Sequence, residues 1–181
     1  MMVIDDFFNE EDFAAILAAT DRARNTPEIP ACEHREEVDH VGFENSKFWM
    51  LDMAAPLTVN ELVKRGYFTS LTNEKQMMVR YHVTTSPYAS LWHRDRMADW
   101  NGNVVDYIGL TLFLNDWDSN NGGLYIYKDE KGSDTGRFVA PKRNRFIFNP
   151  LDYWHGVTQI RNLDVQRHSL QMFISSRNLI K

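Results

Sequence analysis

The residues of this chain best suited to chemistry are His93, Asp95, His155 and Arg167. One residue separates His93 from Asp95, and His155 follows His93 by 62 positions. Two imidazoles and one carboxylate are the donors that hold a non-haem Fe(II) while leaving coordination positions open. On a β-strand, residues i and i+2 point the same way, so His93 and Asp95 can reach one ion from a single strand. His155 then comes from a later strand. Arg167 supplies a fixed positive charge for an anionic co-substrate, and Ser169 shares its face. Each piece alone is weak. A His-x-Asp pair arises by chance, a lone histidine is more often structural, and a strand arginine is more often solvated. The order strand His-x-Asp, strand His, strand Arg-x-Ser carries the argument.

Positioning these groups requires strands in the second half of the chain, and the pattern supplies them. From Lys75 onward, apolar runs alternate with turn signals, giving strands at Gln76–Val83, Ala89–Asp95, Tyr107–Leu114, Leu124–Tyr127, Phe138–Ala140, Arg145–Phe148, His155–Thr158 and Gln166–Ser175. That number suits a double-sheet jelly roll. Ahead of them, Val3 and Ile4 form a short strand and Asn9 caps a helix from Glu10 to about Arg24. Its acidic first turn and basic last turn suit the helix dipole. Phe13, Ile16 and Leu17 make the stripe that lies on a sheet. A second helix spans about Leu57 to Arg65 and ends at Gly66. Residues 25–46 are polar and contain Pro27 and Pro30, so they form a loop with at most a short strand. The fold class is therefore mainly β with N-terminal helices (α+β), a helical part over about 1–74 and a jelly-roll core over about 75–177, in one domain spanning 1–181.

Bulk properties narrow the function classes. Hydrophobic content of 43% and charged content of 25% are those of a globular chain. A net charge of −5 without a dense basic stripe argues against nucleic acid as a partner. No apolar run has the length of a membrane span, and the N-terminus lacks a basic-then-apolar leader. The single cysteine, Cys32, forms no internal disulfide and fits a reducing, cytoplasmic setting.

The ordered motifs resemble the Fe(II)/2-oxoglutarate-dependent dioxygenases, specifically their prolyl 4-hydroxylase-like branch. The residues that carry the likeness are Ile4-Asp5-Asp6-Phe7-Phe8, the Tyr81 strand, Trp92-His93-Arg94-Asp95 and Leu112-Phe113-Leu114-Asn115-Asp116. They continue through Gly122-Gly123-Leu124, the stretch from Pro141 to Phe148, His155-Gly156-Val157 and Arg167-His168-Ser169. The resemblance implies a double-stranded β-helix (cupin-like) core with iron held by His93, Asp95 and His155. It implies 2-oxoglutarate chelating that iron while Arg167 pairs with its distal carboxylate, assisted by Ser169 and by Tyr81 of the pocket wall. Where several members place a Tyr or Lys, this chain has Phe113, and Thr111 on the same face is the replacement. Arg161 rivals Arg167, but Asn162 beside it marks a turn, so strand geometry favours Arg167.

The implied activity is hydroxylation of an unactivated C–H with O2, yielding succinate and CO2, with ascorbate as a stimulant. Asp95 argues against halogenation, because related halogenases lack that carboxylate. The branch points to a prolyl or other amino-acid residue, in a peptide or free. The rivals are hydroxylation of a small metabolite, a non-catalytic metal-binding sensor, which would not need Arg167, and an interaction domain with structural histidines. Tyr88, Arg96 and Trp100 are the substrate-lining candidates. The stretch Arg96–Asp106 is either a mobile substrate loop or a long hairpin connection. Trp117 and Trp154 could line a substrate groove, but buried aromatics are more often core. His34 and His40 fit a solvated acidic loop, while His82 and His168 fall out of phase with the inward faces. Partners are a small-molecule or peptide substrate, and the sequence leaves the oligomeric state open.

Overall fold

Asn9 starts α1 (Glu10–Asn25) by accepting a hydrogen bond from the Asp12 amide at 2.8 Å, while its own amide donates to the Asp12 carboxylate. The computed structural model describes residues 1–33, 40–67, 77–98, 104–128, 136–149 and 153–175. Helix α2 (Ala54–Lys64) begins three residues before its expected start. Pro56 falls in its first turn, where a missing N–H costs nothing. The helix ends in a Schellman pair: the Gly66 amide bonds Val63 O and the Tyr67 amide bonds Leu62 O, with Gly66 at φ +75.

Thirteen strands occur among the described residues: β1 (Met2–Ile4), β2 (Cys32–Glu33), β3 (His40–Val41), β4 (Ser46–Met50), β5 (Met77–Thr84), β6 (Ala89–His93), β7 (Arg96–Ala98), β8 (Val104–Phe113), β9 (Tyr125–Tyr127), β10 (Arg137–Val139), β11 (Phe146–Phe148), β12 (His155–Val157) and β13 (Arg167–Ser175). The main sheet runs β1-β11-β8-β13-β5-β4-β2, with β7 paired to β8. The second sheet runs β10-β9-β12-β6-β3. Every pair in both is antiparallel. This is the expected double-stranded β-helix architecture.

Alternation along the main sheet assigns its two faces. Val79, Tyr81 and Val83 of β5, Leu110 and Leu112 of β8, and Leu170, Met172 and Ile174 of β13 form one cluster with Phe13 and Ile16 of α1 and Val59 and Leu62 of α2. Each such side chain contributes roughly 1.5–3 kcal/mol on full burial. The opposite face looks at the second sheet, with Phe113 and Ile147 packed against Tyr125, Tyr127 and Val139. The site lies between the sheets.

Two expectations change. The N-terminal part contributes more to the main sheet than the short strand expected at Val3–Ile4, because β2 and β4 extend it as well as β1. Strand β4 (Ser46–Met50) was not anticipated, although Gly42, Asn45 and Asp52 bound it with turn formers; pairing to β5 is what makes it a strand. The Arg96–Asp106 stretch begins and ends as the β7–β8 hairpin, while 99–103 and the His34 segment lie outside the described residues. No helix among the described residues is long and apolar enough to cross a membrane.

The chain start is tied to the core by Asn144. Its amide group accepts from the Phe8 N–H at 3.0 Å and donates to Phe8 O at 2.8 Å, all of it buried. Asn144→Ala should lower unfolding stability by about 2–4 kcal/mol in urea titration, since both Phe8 backbone groups lose their partner. Nearby, Arg145 grips Asp5 through two nitrogens at 2.6 and 2.9 Å, and this bond holds the Asp5 carboxyl down at about 2, against 3.8 ordinarily. A lowered carboxyl stabilises above its unfolded value and stops doing so as pH falls. The stability gap between wild type and Asp5→Asn should be full above pH 3.8 and vanish toward pH 2.

Candidate metal and co-substrate site

His93 closes β6 and His155 opens β12, and the two are direct antiparallel partners. Their rings lie 4.5 Å apart between centroids. Beyond this pair the register slips, so Leu91 and Trp92 of β6 face Gly156 alone, a bulge that re-aims His93. Gly156 permits it: a Cβ there would come within 2.8 Å of the Ser90 and Leu91 carbonyl oxygens. Each imidazole is oriented through Nδ1, His93 to Leu91 O at 2.8 Å and His155 to Tyr153 O at 3.0 Å. A carbonyl only accepts, so Nδ1 carries the hydrogen and Nε2 is left as the ligand atom. Tyr125 stacks on the His155 ring at 5.5 Å.

Asp95 lies just past the end of β6 rather than within it, held by the Tyr107 amide donating to its backbone oxygen at 2.9 Å. Its carboxylate oxygens sit 4.0 Å from His93 Nε2 and 3.4 Å from His155 Nε2. The ligand atoms of His93, Asp95 and His155 all fall within 4.8 Å of one another, close enough for one ion. Burial pushes the Asp95 carboxyl upward, but His155, His93 and Arg80 outweigh it and hold the group below its ordinary range. The carboxylate occupies space that Gly109 leaves open, since a Cβ on Gly109 would be 2.1 Å from Asp95 Oδ2.

Arg167 begins β13 and is 2% exposed. Its Nη1 donates to Gly123 O at 2.9 Å, while its Nε has no hydrogen-bond partner. Ser169, two residues along the same face, is fully buried, and its Oγ also has none. Unpartnered buried donors cost free energy unless a ligand completes them. Burial pushes the Arg167 guanidinium down to about 10, with Tyr88 opposing, so it stays charged at neutral pH. Gly123, at φ +65, is wedged between Ile160, Trp117 and Arg167, and Trp117 Nε1 donates to Gly122 O at 2.8 Å. Arg161, the rival cation, is exposed.

Register corrects the co-substrate wall. Ser169 pairs with His82, and Tyr81 pairs with Leu170 on the other face. Tyr81 therefore packs among the helix-side residues, stacks on Trp49 and bonds His168 Nδ1 through its hydroxyl at 2.7 Å. His82, set aside on phase, is the residue that faces Ser169. The signal was present: Val79, Tyr81 and Val83 alternate with Arg80, His82 and Thr84, and the apolar set belongs under the helices. Thr111 does lie on the cleft face, opposite Gln171. Tyr88 is not at the substrate mouth; it is 2% exposed in a cluster with Val157 and Ile160 beside Arg167. Trp117 packs against that cluster, and Trp154 is 42% exposed. Of Arg96 the backbone is described, in β7, and Trp100 lies outside the described residues.

Gly109 had no sequence signal beyond being a glycine inside a strand. Gly109→Ala should displace the Asp95 carboxylate and weaken divalent-metal binding about 10- to 100-fold, measured by Mn(II) titration. Unchanged affinity would show that the carboxylate has another seat.

The sequence profile of the 2OG-Fe(II) oxygenase superfamily matches residues 77–175, which contain all four groups. None of the curated proteins compared with the chain matches it in sequence. Among solved structures, a Pseudomonas putida prolyl-4-hydroxylase is similar at TM-score 0.67 and 15% identity, covering 96% of this chain and 91% of the other. A Trichoplax adhaerens prolyl hydroxylase, in complex with a hypoxia inducible factor oxygen degradation domain peptide fragment, is similar at TM-score 0.69 and 12% identity, covering 97% and 83%. HygX from Streptomyces hygroscopicus, with nickel and 2-oxoglutarate bound, is similar at TM-score 0.60 and 10% identity, covering 97% and 82%. These likenesses are of fold. The profile match spans more than half of the chain, and the chain accordingly belongs to the 2OG-Fe(II) oxygenase superfamily.

Proposed function

We propose that this oxygenase hydroxylates an unactivated C–H of an amino-acid unit, prolyl or other, in a peptide or free. The observation that carries the co-substrate assignment is the pair of buried, unpartnered donors, Arg167 Nε and Ser169 Oγ, on one face of β13. They fit the distal carboxylate of 2-oxoglutarate, which a guanidinium meets with parallel charge-assisted hydrogen bonds. His93, Asp95 and His155 would hold the iron, and their mixed imidazole and carboxylate character suits Fe(II) with open positions. When bound, iron and 2-oxoglutarate supply with O2 the oxidising power for hydroxylation, leaving succinate and CO2.

The chain's own groups do the positioning. Leu91 O and Tyr153 O fix the two imidazoles, Tyr125 holds the His155 ring in plane, and Gly109 gives the carboxylate its seat. Phe113, Tyr125 and Ile147 line the inter-sheet space with apolar surface that excludes water from the site. Asp95 supplies the carboxylate that halogenating relatives lack, which supports hydroxylation. A sensor without a co-substrate has no use for a buried guanidinium with an open donor.

The amino-acid substrate rests on fold likeness, including a neighbour complexed with a peptide. Anaerobic addition of Fe(II) and 2-oxoglutarate should produce the visible charge-transfer band of the chelate, and His155→Ala should abolish it. Arg167→Ala should raise the 2-oxoglutarate requirement about tenfold or more, while Arg161→Ala leaves it unchanged. The reverse result would move the anchor to Arg161. Iron binding with no chelate band would favour the sensor.

A further inference from the structure

The cleft face of β13 is polar for three successive positions. Alternation puts Arg167, Ser169 and Gln171 on that face, while Leu170 and Met172 are buried on the helix side. Arg167 and Ser169 are buried, and Gln171 is half-buried. Gln171 stands directly opposite Thr111 of β8, which is half-buried on the same face. Among the described residues neither side chain finds a hydrogen-bond partner. The other cross-strand neighbour of Thr111 is Ile147, part of the apolar lining with Phe113 and Tyr125. Polar groups set into such a lining need a ligand or water to complete them.

Levels along the strand fix what this pair faces. The open donors Arg167 Nε and Ser169 Oγ mark the level of the distal carboxylate. The Asp95 carboxylate, seated over Gly109, marks the level of the metal, and Gly109 pairs with Phe173. Gln171 and Thr111 lie between the two. Gln171 is one same-face step, roughly 7 Å, from Ser169 and another from Phe173. The five carbons of 2-oxoglutarate span about 5 Å when extended, four zigzag bonds of about 1.5 Å each. With one carboxylate at Ser169, the molecule brings its keto-acid end to the Gln171 row. The chemistry of the pair suits that end. A glutamine amide donates through nitrogen and accepts through oxygen, and a threonine hydroxyl does both. A neutral donor orients the keto-acid carboxylate without adding a further charge beside Asp95.

We propose that Gln171, backed by Thr111, is a further co-substrate-binding residue, whose amide nitrogen donates to the keto-acid carboxylate of 2-oxoglutarate and sets how that end approaches the metal. Thr111 donates its hydroxyl to the amide oxygen, which turns the nitrogen toward the ligand. One face of β13 then reads the whole molecule. Arg167 and Ser169 take the distal carboxylate, and Gln171 takes the carboxylate beside the keto group.

This inference rests on the co-substrate assignment above, and two ligands separate them. Pyruvate has the keto-acid end without the distal carboxylate, so it reports the Gln171 contact alone. Fe(II)-loaded protein is titrated anaerobically with 2-oxoglutarate and with pyruvate, following the chelate band. Gln171→Met, close in shape, should weaken both ligands about tenfold and move the band maximum. Gln171→Glu should weaken both further, because it sets a carboxylate against a carboxylate. Arg167→Ala should weaken 2-oxoglutarate and leave pyruvate within about twofold. Mn(II) affinity without co-substrate should stay within about twofold in both Gln171 variants, which shows the fold and the metal site intact. Unchanged affinity for both ligands in the Gln171 variants overturns the proposal. So does a loss confined to 2-oxoglutarate, which would put Gln171 at the distal carboxylate, or a parallel loss of Mn(II), which would make its role structural. A wild type that gives the band with 2-oxoglutarate but none with saturating pyruvate also overturns it, since the keto-acid end then draws no help from the cleft. Absence of the band with 2-oxoglutarate in wild type removes the co-substrate reading itself.

Discussion

Burial of the Arg167 guanidinium is the constraint on which the rest of the site depends. Removing a cation from water costs several kcal/mol unless charge and hydrogen bonds replace the hydration. Within the protein, Gly123 O offsets part of that cost through one bond to Nη1. The bond exists because Gly122 and Gly123 take positive φ and bring the backbone close, with a Cβ at Gly122 only 1.9 Å from Gln159 O. Trp117 seals the turn from outside. Arg167 Nε and the buried Ser169 hydroxyl two residues along the same face keep open donors, so this end of the cleft carries an uncompensated cost that the proposed co-substrate carboxylate would offset. Stability is given up where binding needs it.

The candidate metal ligands obey a different logic, one of aim rather than charge. Direct pairing of His93 with His155 brings two strands' ends together, and the bulge after that pair sets how the rings turn. Backbone carbonyls then choose the tautomer for both imidazoles. Asp95 comes from outside the ladder and is positioned by the space at Gly109. Ligand positions therefore depend on β6, β12 and β8 together, and a change on β8 should be felt at the metal although β8 supplies no ligand.

The same separation of roles runs through the main sheet. On β5 the residues Val79, Tyr81 and Val83 go under the helices, and Arg80, His82 and Thr84 go to the cleft. Tyr81 and His168, each an obvious polar group beside the motifs, satisfy one another on the helix side at 2.7 Å. Burial pushes the Tyr81 phenol up to about 12, which keeps it a neutral donor or acceptor in that pair. A one-residue error in phase is enough to exchange a structural tyrosine for a pocket histidine, because strand faces have a period of two.

The chain by itself determined the start of α1, the strand-rich second half and the choice of His93, Asp95, His155 and Arg167 as the candidate site. These follow from local physics: Asn9 caps, apolar alternation marks strands, and few residue types bind a metal or an anion. What the tertiary structure decided was every feature that needs a neighbour. Strand β4 exists because β5 offers it a ladder, which its short run of mixed polar and aromatic residues does not announce. Gly109 matters because Asp95 arrives from another strand, and His82 matters because β13 sets its register against Ser169. Tyr88 went to the anchor rather than the mouth because the β5–β6 turn folds back over Ile160, with the Ile160 amide bonded to Tyr88 O at 2.9 Å. Residue chemistry is local and can be read in order, whereas pairing register and close approach are set between distant segments and appear only once the two sheets have closed.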